Sequence, residues 1–357
     1  MGVIRIPYTD PLPPPRIIPA YANTVSGAIK ALSQFLLEKP RRPGTDRRDG
    51  GDTLLLTGAG ISVASGLADY RGSNGTYTLN KTYRPIYYHE FCHSHQARKR
   101  YWARNVDSFH PIAHPNLPTL ELHGYLRALT CISCSHSYPR SEFQKELSRL
   151  NPTWHEFLQE MLASGALTTE DPQERRMKGL RTNPDGDVDV PNADYQTFRY
   201  PACPKCLASP PEKGWNKEDK GHVQVDKDGA WIPPSNVGML KPAVIMFGES
   251  IPTAIKEAAE IAVDSANRIL VIGSSLATYS AWRLVKRAKE RKMPIGILNL
   301  GGVRGEEAFF KDMGDTGEAV RISEYADKVL PEVIKIVEET RRFEERRTAA
   351  TNKQSSL

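Results

Sequence analysis

Two pairs of cysteines dominate the chemistry of this chain. Cys131-Ile-Ser-Cys134 and Cys203-Pro-Lys-Cys206 are both C-x-x-C knuckles, a spacing that lets two thiolates reach one Zn²⁺. Two knuckles complete a tetrahedron, so the site is structural, with no position left for a reacting ligand. The 68 residues between the pairs exceed the usual spacing and imply an insertion within a zinc ribbon. A second pattern is LLLTGAGISVASGLADYRG over 54–72, an apolar run that meets a Gly58-Ala59-Gly60 turn where a helix is expected to begin. Glycines let backbone approach a pyrophosphate, and a helix N-terminus would supply N–H donors. Val63 stands where a third fingerprint glycine would fall. Further on, Gly273-Ser274-Ser275 and Asn299-Leu300-Gly301 also close apolar strands. Ligands of open α/β sheets bind at the carboxyl ends of strands, so three small or polar strand ends favour a dinucleotide. His123, in Leu122-His123-Gly124, has a side chain suited to general base chemistry near neutral pH.

The elements that must position these residues follow from periodicity. Thr24–Glu38 carries one apolar helical face, and 53–57 reads as a buried strand. Strands are expected at 243–247, 268–272 and 294–300, and helices at 254–267, 281–292 and 329–347. Alternation of this kind predicts an α/β fold, a doubly wound parallel sheet with helices on both faces. The polar region 135–200 reads as loop with one helix near Trp154–Ser164. The resulting organisation is an extended segment over 1–23, then a modified Rossmann lobe from 24–124 and 240–330. A small zinc-ribbon lobe is inserted over 125–239, and a closing helix and tail occupy 331–357.

The 357 residues carry 39% hydrophobic and 25% charged side chains, with no apolar run long enough to span a membrane. Net charge is +6, with basic clusters at 41–48, 98–104 and 341–347. Aromatics are sparse among them, with Tyr101 and Trp102 in the second and Phe343 in the third, so solvated surface is a better reading than a nucleic-acid site. Cys92, the fifth cysteine, reads as a buried structural thiol. The N-terminal 22 residues hold a single carboxylate, Asp10, with Arg5 and Arg16. That composition suits a mitochondrial presequence, but the prolines oppose an amphipathic helix.

In order, GAGISVASGLADYRG, NVD, ELHG, the paired C-x-x-C, KPAVIMFGE, GSSLATYS and ILNLGG closely resemble the sirtuins, the NAD-dependent protein-lysine deacylases. The resemblance runs from about Thr24 to Leu330, and RYWARN, DYR and GSSLATYS are most like the sirtuin-4-like branch. It implies NAD in a crevice between the lobes, one structural Zn²⁺, and transfer of the acyl group to ADP-ribose with release of nicotinamide. His123 matches the family base, and Asn105 and Asp107 the polar pair beside the nicotinamide ribose. Asp69, Tyr70 and Arg71 match the loop that covers the cofactor. Gly58, Ala59, Gly60, Gly273, Ser274, Ser275, Asn299, Leu300 and Gly301 match the remaining cofactor contacts. The acyl-lysine peptide is expected between 241–249 and the loop after Gly301, adding a strand. A non-catalytic NAD- and zinc-binding protein, or ADP-ribosyl or lipoyl-directed activity, is the alternative. A mitochondrial location follows from the branch, with nucleus or cytoplasm as the alternative.

The sequence departs from the family pattern before Val106. Ala103-Arg104-Asn105 stands where the family has Thr-Gln-Asn, and a strand with its crossover helix, roughly 30 residues, is missing. The sheet is therefore expected to lack a central strand and to expose its neighbours. Ala68 replaces a proline common before Asp69, and Thr278 stands where the family often has Val; both changes are small.

Overall fold

The computed structural model describes residues 11–38, 52–65, 69–72, 75–79, 83–104, 118–163, 181–182, 188–189, 195–214, 219–313 and 317–354. The chain divides into two compact units. The first contains Met1–Ala64, Arg71–Ser73 and Ala254–Leu357, and the second Ser65–Tyr70 and Asn74–Thr253. Contacts thus group 74–124 with the cysteine-bearing region.

The first unit is built on a parallel sheet. Its strands are β1 (Thr53–Thr57), β9 (Arg268–Ile272), β10 (Ile295–Leu298) and β11 (Ala319–Ile322), in the order β1-β9-β10-β11. β9 is buried along its whole length, as its unbroken RILVI run demands. The helix Val25–Leu37 starts where the Thr24 hydroxyl accepts from the Gly27 amide at 3.1 Å. Its Ala28, Leu32 and Phe35 pack with Leu270, Leu298, Val320 and Val333 in one core. Gly296 on β10 makes room for this helix, since a Cβ there would lie 2.9 Å from the Phe35 ring. Burying each such Leu or Phe contributes about 1.5–3 kcal/mol.

Among the described residues, β1 is an edge of this sheet, and Leu55 on it is 53% exposed. At the opposite edge, Ile18 bridges antiparallel to Arg321 of β11. β11 carries an arginine inside an apolar quartet, and the periodicity did not announce it as a strand.

The second unit has an antiparallel sheet, order β3-β2-β8, from β2 (Gly124–Cys131), β3 (Ser137–Pro139) and β8 (Leu240–Val244). Two small hairpins join it: β4 (Arg181–Thr182) with β5 (Val188–Asp189), and β6 (Gln224–Val225) with β7 (Trp231–Ile232). The strand expected at 243–247 as part of the parallel sheet is corrected here. It begins at Leu240, ends at Val244 and pairs antiparallel with β2. Lys241 and Pro242 follow Leu240, and a charge and a proline early in the strand hid its true start. The region 135–200 holds two long helices, Arg140–Leu150 and Pro152–Ala163, where one was expected. Trp102, Phe91, Phe143, Phe198, Tyr200 and Trp231 form the core of this unit together with three of the cysteines. Trp102 is fully buried and Tyr101 nearly so, which removes the aromatics from the basic cluster at 98–104. Arg98 is buried too, with its guanidinium donating to Tyr200 Oη and to the carbonyls of Phe91 and Cys92. Among the described residues no helix is long and apolar enough to cross a membrane.

Candidate functional site

In the second unit, β2 ends in Cys131, and a tight turn with Ser135 in the left-handed region returns the chain past Cys134. Cys203 and Cys206 come from the start of the short helix Pro204–Ala208, whose Pro at the first position fixes the entry. The four Sγ atoms lie within 4.8 Å of one another. Cys131 Sγ is 3.6 Å from Cys206 Sγ, and Cys134 Sγ is 3.7 Å from Cys203 Sγ. A tetrahedron with Zn–S bonds of about 2.3 Å has edges of about 3.8 Å, so the cluster fits one zinc ion. Its electrostatics agree. Hydrogen bonding from Cys203 pulls the Cys131 thiol down to about 5. The bond to Cys131, with burial, pushes Cys203 up, and burial with the charge of Cys131 does the same to Cys206. A buried set of thiols that resist joint ionisation is stabilised by a divalent cation that makes all four thiolates. The cysteines hold one structural Zn²⁺.

His123 precedes β2 in the same unit. Its carbonyl accepts from the Ile245 amide at 2.7 Å, just past β8, and so is fastened to the 241–249 segment. Gly124 follows with φ +74°, and its amide bonds the Glu121 carbonyl at 2.9 Å. The ion pair of Arg127 with Glu121 braces this turn. His123 keeps an exposed surface, yet surrounding protein disfavours its imidazolium and lowers its pKa below the ordinary 6.5. The neutral ring is the form a general base needs.

The segment 241–249 is held by a second buried pair. Lys241 Nζ lies 3.1 Å from Glu249 Oε2 and donates to the carbonyls of Pro242 (3.1 Å) and Val244 (2.7 Å). Glu249 Oε2 also accepts from the Met246 amide at 2.9 Å. Asp69 and Tyr70 are tied by their carbonyls to the amides of Thr76 and Tyr77, each at 2.9 Å, and the Tyr70 and Tyr77 rings stack at 5.7 Å. Cys92 is buried, and burial pushes its thiol up, in keeping with an inert structural role. Asn105 and Asp107 lie outside the described residues, as does Ala68.

In the first unit, the strand ends are joined sideways in register. The Gly58 amide donates to Ile272 (3.0 Å), Gly60 to Gly273 (2.9 Å), Gly273 to Leu298 (2.9 Å) and Asn299 to Ile322 (3.1 Å). Gly58-Ala59-Gly60, Gly273-Ser274-Ser275 and Asn299-Leu300-Gly301 therefore form one continuous rim at the carboxyl ends of β1, β9 and β10. Arg71 belongs to the same unit. Two details differ from expectation. The turn continues as a 3₁₀ helix over Ala59–Ser65, too short and too tight for the expected helix N-terminus. The glycines also serve each other: a Cβ on Gly58 would lie 2.6 Å from the Gly273 carbonyl oxygen, and one on Gly60 2.8 Å from it. Close packing of two strand ends, and not only access for a ligand, fixes these positions. Gly301 differs, having φ +74° and nothing within 4 Å of a Cβ. No protein group among the described residues accepts from the amides of Ala59 or Ser274. A rim with open space and unclaimed N–H donors fits the phosphates and ribose of a dinucleotide.

Sequence reasoning missed Arg321 and Glu306, both buried and paired at 2.9 Å beneath this rim. An arginine inside the AVRI run was the available signal.

The chain resembles known proteins over most of its length. The Sir2 family profile matches residues 79–280. An NAD-dependent protein deacylase of Batrachochytrium dendrobatidis is 36% identical, over 80% of this chain and 89% of that protein. An NAD-dependent protein deacylase of Arabidopsis thaliana is 31% identical, over 71% of this chain and 67% of its own. The mitochondrial sirtuin-4 of Bos taurus, an NAD-dependent protein lipoamidase, is 29% identical over 71% and 75%. A solved Sir2 enzyme structure superposes with a TM-score of 0.48 at 19% identity, over 88% of this chain and 98% of that chain; the assignment rests on the sequence relatives. The coverage and identity of those relatives, with a parallel α/β unit and a four-cysteine zinc site, make the chain a member of the Sir2 family.

Proposed function

We infer that the chain is an NAD-dependent protein-lysine deacylase. The observation that carries this reading is the rim of three strand-end turns, hydrogen-bonded in register, in a chain of the Sir2 family. When bound, NAD would supply a labile nicotinamide–ribose bond: its cleavage would release nicotinamide and leave the ribose to accept the acyl group, with lysine freed as its amine. His123 accepts a proton as general base, its neutral ring favoured by the desolvation that surrounding protein imposes. Asn105 and Asp107 hold the ribose beside it. Asp69, Tyr70 and Arg71 cover the cofactor. Gly58, Ala59, Gly60, Gly273, Ser274, Ser275, Asn299, Leu300 and Gly301 cradle the rest of it. The peptide adds its backbone along 241–249, where the amides of Phe247 and Gly248 have no protein acceptor among the described residues. In functional terms 24–124 with 240–330 hold NAD, and 125–239 hold zinc.

The test is nicotinamide release from NAD by the zinc-loaded chain with a panel of acyl-lysine peptides, lipoyl-lysine included. Release that requires peptide and disappears in His123→Ala supports the reading. NAD binding without release in every peptide would refute it in favour of a non-catalytic binder. The lowered His123 pKa places the acid limb of kcat/KM below 6.5. Lipoyl-lysine belongs in the panel because the bovine relative is a lipoamidase. A mitochondrial location is part of the proposal, supported by that relative's compartment. Import of the labelled chain into isolated mitochondria tests it.

A further inference from the structure

Arg321 spends every guanidinium donor on the rim and its support. Nη1 donates to the carbonyls of Asn299 (2.9 Å) and Ile322 (2.6 Å), and Nη2 to that of Gly301. Nε bonds Glu306 Oε1 at 2.9 Å, and Nη2 also reaches Glu306 Oε2 at 3.2 Å. Arg321 is 0% and Glu306 2% exposed, so this pair cannot trade its partners for water. Glu306 takes two more donors. The Val303 amide reaches Oε2 at 3.2 Å, and the Arg16 amide reaches Oε1 at 2.8 Å.

That last bond brings in a segment far away in sequence. Within residues 11–19, Ile18 forms an isolated antiparallel bridge to β11, exchanging backbone hydrogen bonds with Arg321 at 3.0 and 2.7 Å. Upstream, the Pro13 carbonyl oxygen sits 1.8 Å from where a Cβ on Gly302 would be. Gly302 is therefore glycine because this segment lies against it. The run Pro13-Pro14-Pro15 presets an extended backbone and lowers the entropy lost in placing it.

We propose that residues 11–19 form a strap that positions the cofactor-binding turn Asn299–Gly302, acting through Glu306 and Arg321, so that affinity for NAD depends on the N-terminal segment. This rests on the NAD reading above. Glu306 and Arg321 are positioning residues: Arg321 donates to the carbonyls of Asn299 and Gly301, and Glu306 accepts from the Val303 amide and from that guanidinium. A free strap would leave Glu306 one donor short and the turn without its cover at Gly302.

The experiment uses the full chain with three substitutions. Arg16→Pro lengthens the proline run and removes the N–H donated to Glu306, together with the arginine side chain. Arg16→Lys keeps that N–H. Ile18→Asp places a carboxylate at a buried position of the strap. NAD binding is measured by calorimetry, and amide exchange is followed by mass spectrometry over 299–303. We expect Arg16→Pro and Ile18→Asp each to raise the NAD dissociation constant about tenfold and to speed exchange of the turn, with β9 amides unchanged. Arg16→Lys should match the parent in both. The proposal is overturned if exchange at residues 11–19 shows the strap released while NAD affinity and turn exchange stay within twofold of the parent. If the parent itself binds no NAD, the functional reading fails, and the strap's role in cofactor binding fails with it, whatever the exchange shows.

Discussion

Two glycines of the second unit share a backbone conformation but not a neighbourhood, and substitution by alanine should separate them. Gly124 has φ +74° and Gly229 has φ +90°, so both accept a side chain only with strain. That strain alone is worth about 1–2 kcal/mol. At Gly229 the new Cβ meets only the end of the Arg149 side chain, at 3.5 Å. At Gly124 it would lie 1.9 Å from the Ala243 carbonyl oxygen, against the 3.0 Å that real Cβ atoms respect. β2 and β8 must then part by about 1.1 Å at this point, the difference of those two distances. Forced overpacking adds about 1–3 kcal/mol. Gly124→Ala should therefore destabilise by about 2–5 kcal/mol in all, and Gly229→Ala by about 1–2. The same displacement pulls on the 2.7 Å bond from Ile245 to the His123 carbonyl. A shift of about 1 Å at a catalytic group can cost on the order of 100-fold in rate. Thermal unfolding of the zinc-loaded proteins and the rate of nicotinamide release would be measured side by side. Equal destabilisation by the two substitutions, or turnover of Gly124→Ala within twofold of the parent, would refute the reasoning.

Three other outcomes are expected. Stripping zinc with a chelator, or Cys203→Ser, should unfold the second unit at a lower temperature, read by circular dichroism against zinc content; an unchanged melt would mean the cysteines hold nothing structural. His95 is lowered from 6.5 to about 4 by burial, then by Lys99 and Arg98, while Nδ1 lies 2.7 Å from Tyr200 Oη. The unfolded chain then takes up that proton first, so stability present above pH 6.5 is lost as pH falls from 6.5 towards 4. After a discount of half for solvent screening the loss by pH 5 is about 1 kcal/mol. NMR titration, assigned with His95→Gln, reads the pKa directly, and titration above 6 would contradict the prediction. Glu249→Gln leaves the Lys241 ammonium without its counter-charge at 3.1 Å and should cost about 3 kcal/mol, the low end for a broken buried pair because Glu249 keeps 15% exposure. Desolvation already lowers Lys241 below 10.5, so the variant's deficit should shrink as pH rises towards 10.5; urea unfolding at two pH values checks this.

Much of the site could be read from the sequence because its signals are local. A four-residue apolar run such as Ile269–Ile272 followed by Gly273 carries strand and turn together. A C-x-x-C knuckle carries its own ligand geometry. What was hidden depended on partners distant in sequence. The strand Leu240–Val244 is antiparallel because β2, over a hundred residues upstream, lies beside it, and nothing within KPAVIMFGE states that. The helix Arg140–Leu150 was masked by its charge, although Phe143, Leu147 and Leu150 do share a buried face. Arg321 was opaque for a similar reason: a charge inside a strand makes sense only once Glu306 and three carbonyls surround it. The glycines at 58 and 60 were read as ligand-facing, and their packing against Gly273 required the neighbouring strand to be present.

The zinc cluster joins positions 69 residues apart, Cys134 to Cys203. A cross-link of that span makes the length of the intervening chain nearly irrelevant to stability. Doubling a closed loop costs only about 0.6 kcal/mol, because closure entropy grows with the logarithm of its length. Closure entropy alone therefore tolerates added length between the knuckles, provided the core residues of that stretch, Phe143, Leu147, Phe198 and Tyr200, keep their places. That stretch is also where a protease cut would leave both new ends fastened to one metal ion. An epitope or a fluorescent domain inserted in that stretch should cost little in closure entropy, and what it costs beyond that is set by which of these core side chains it displaces.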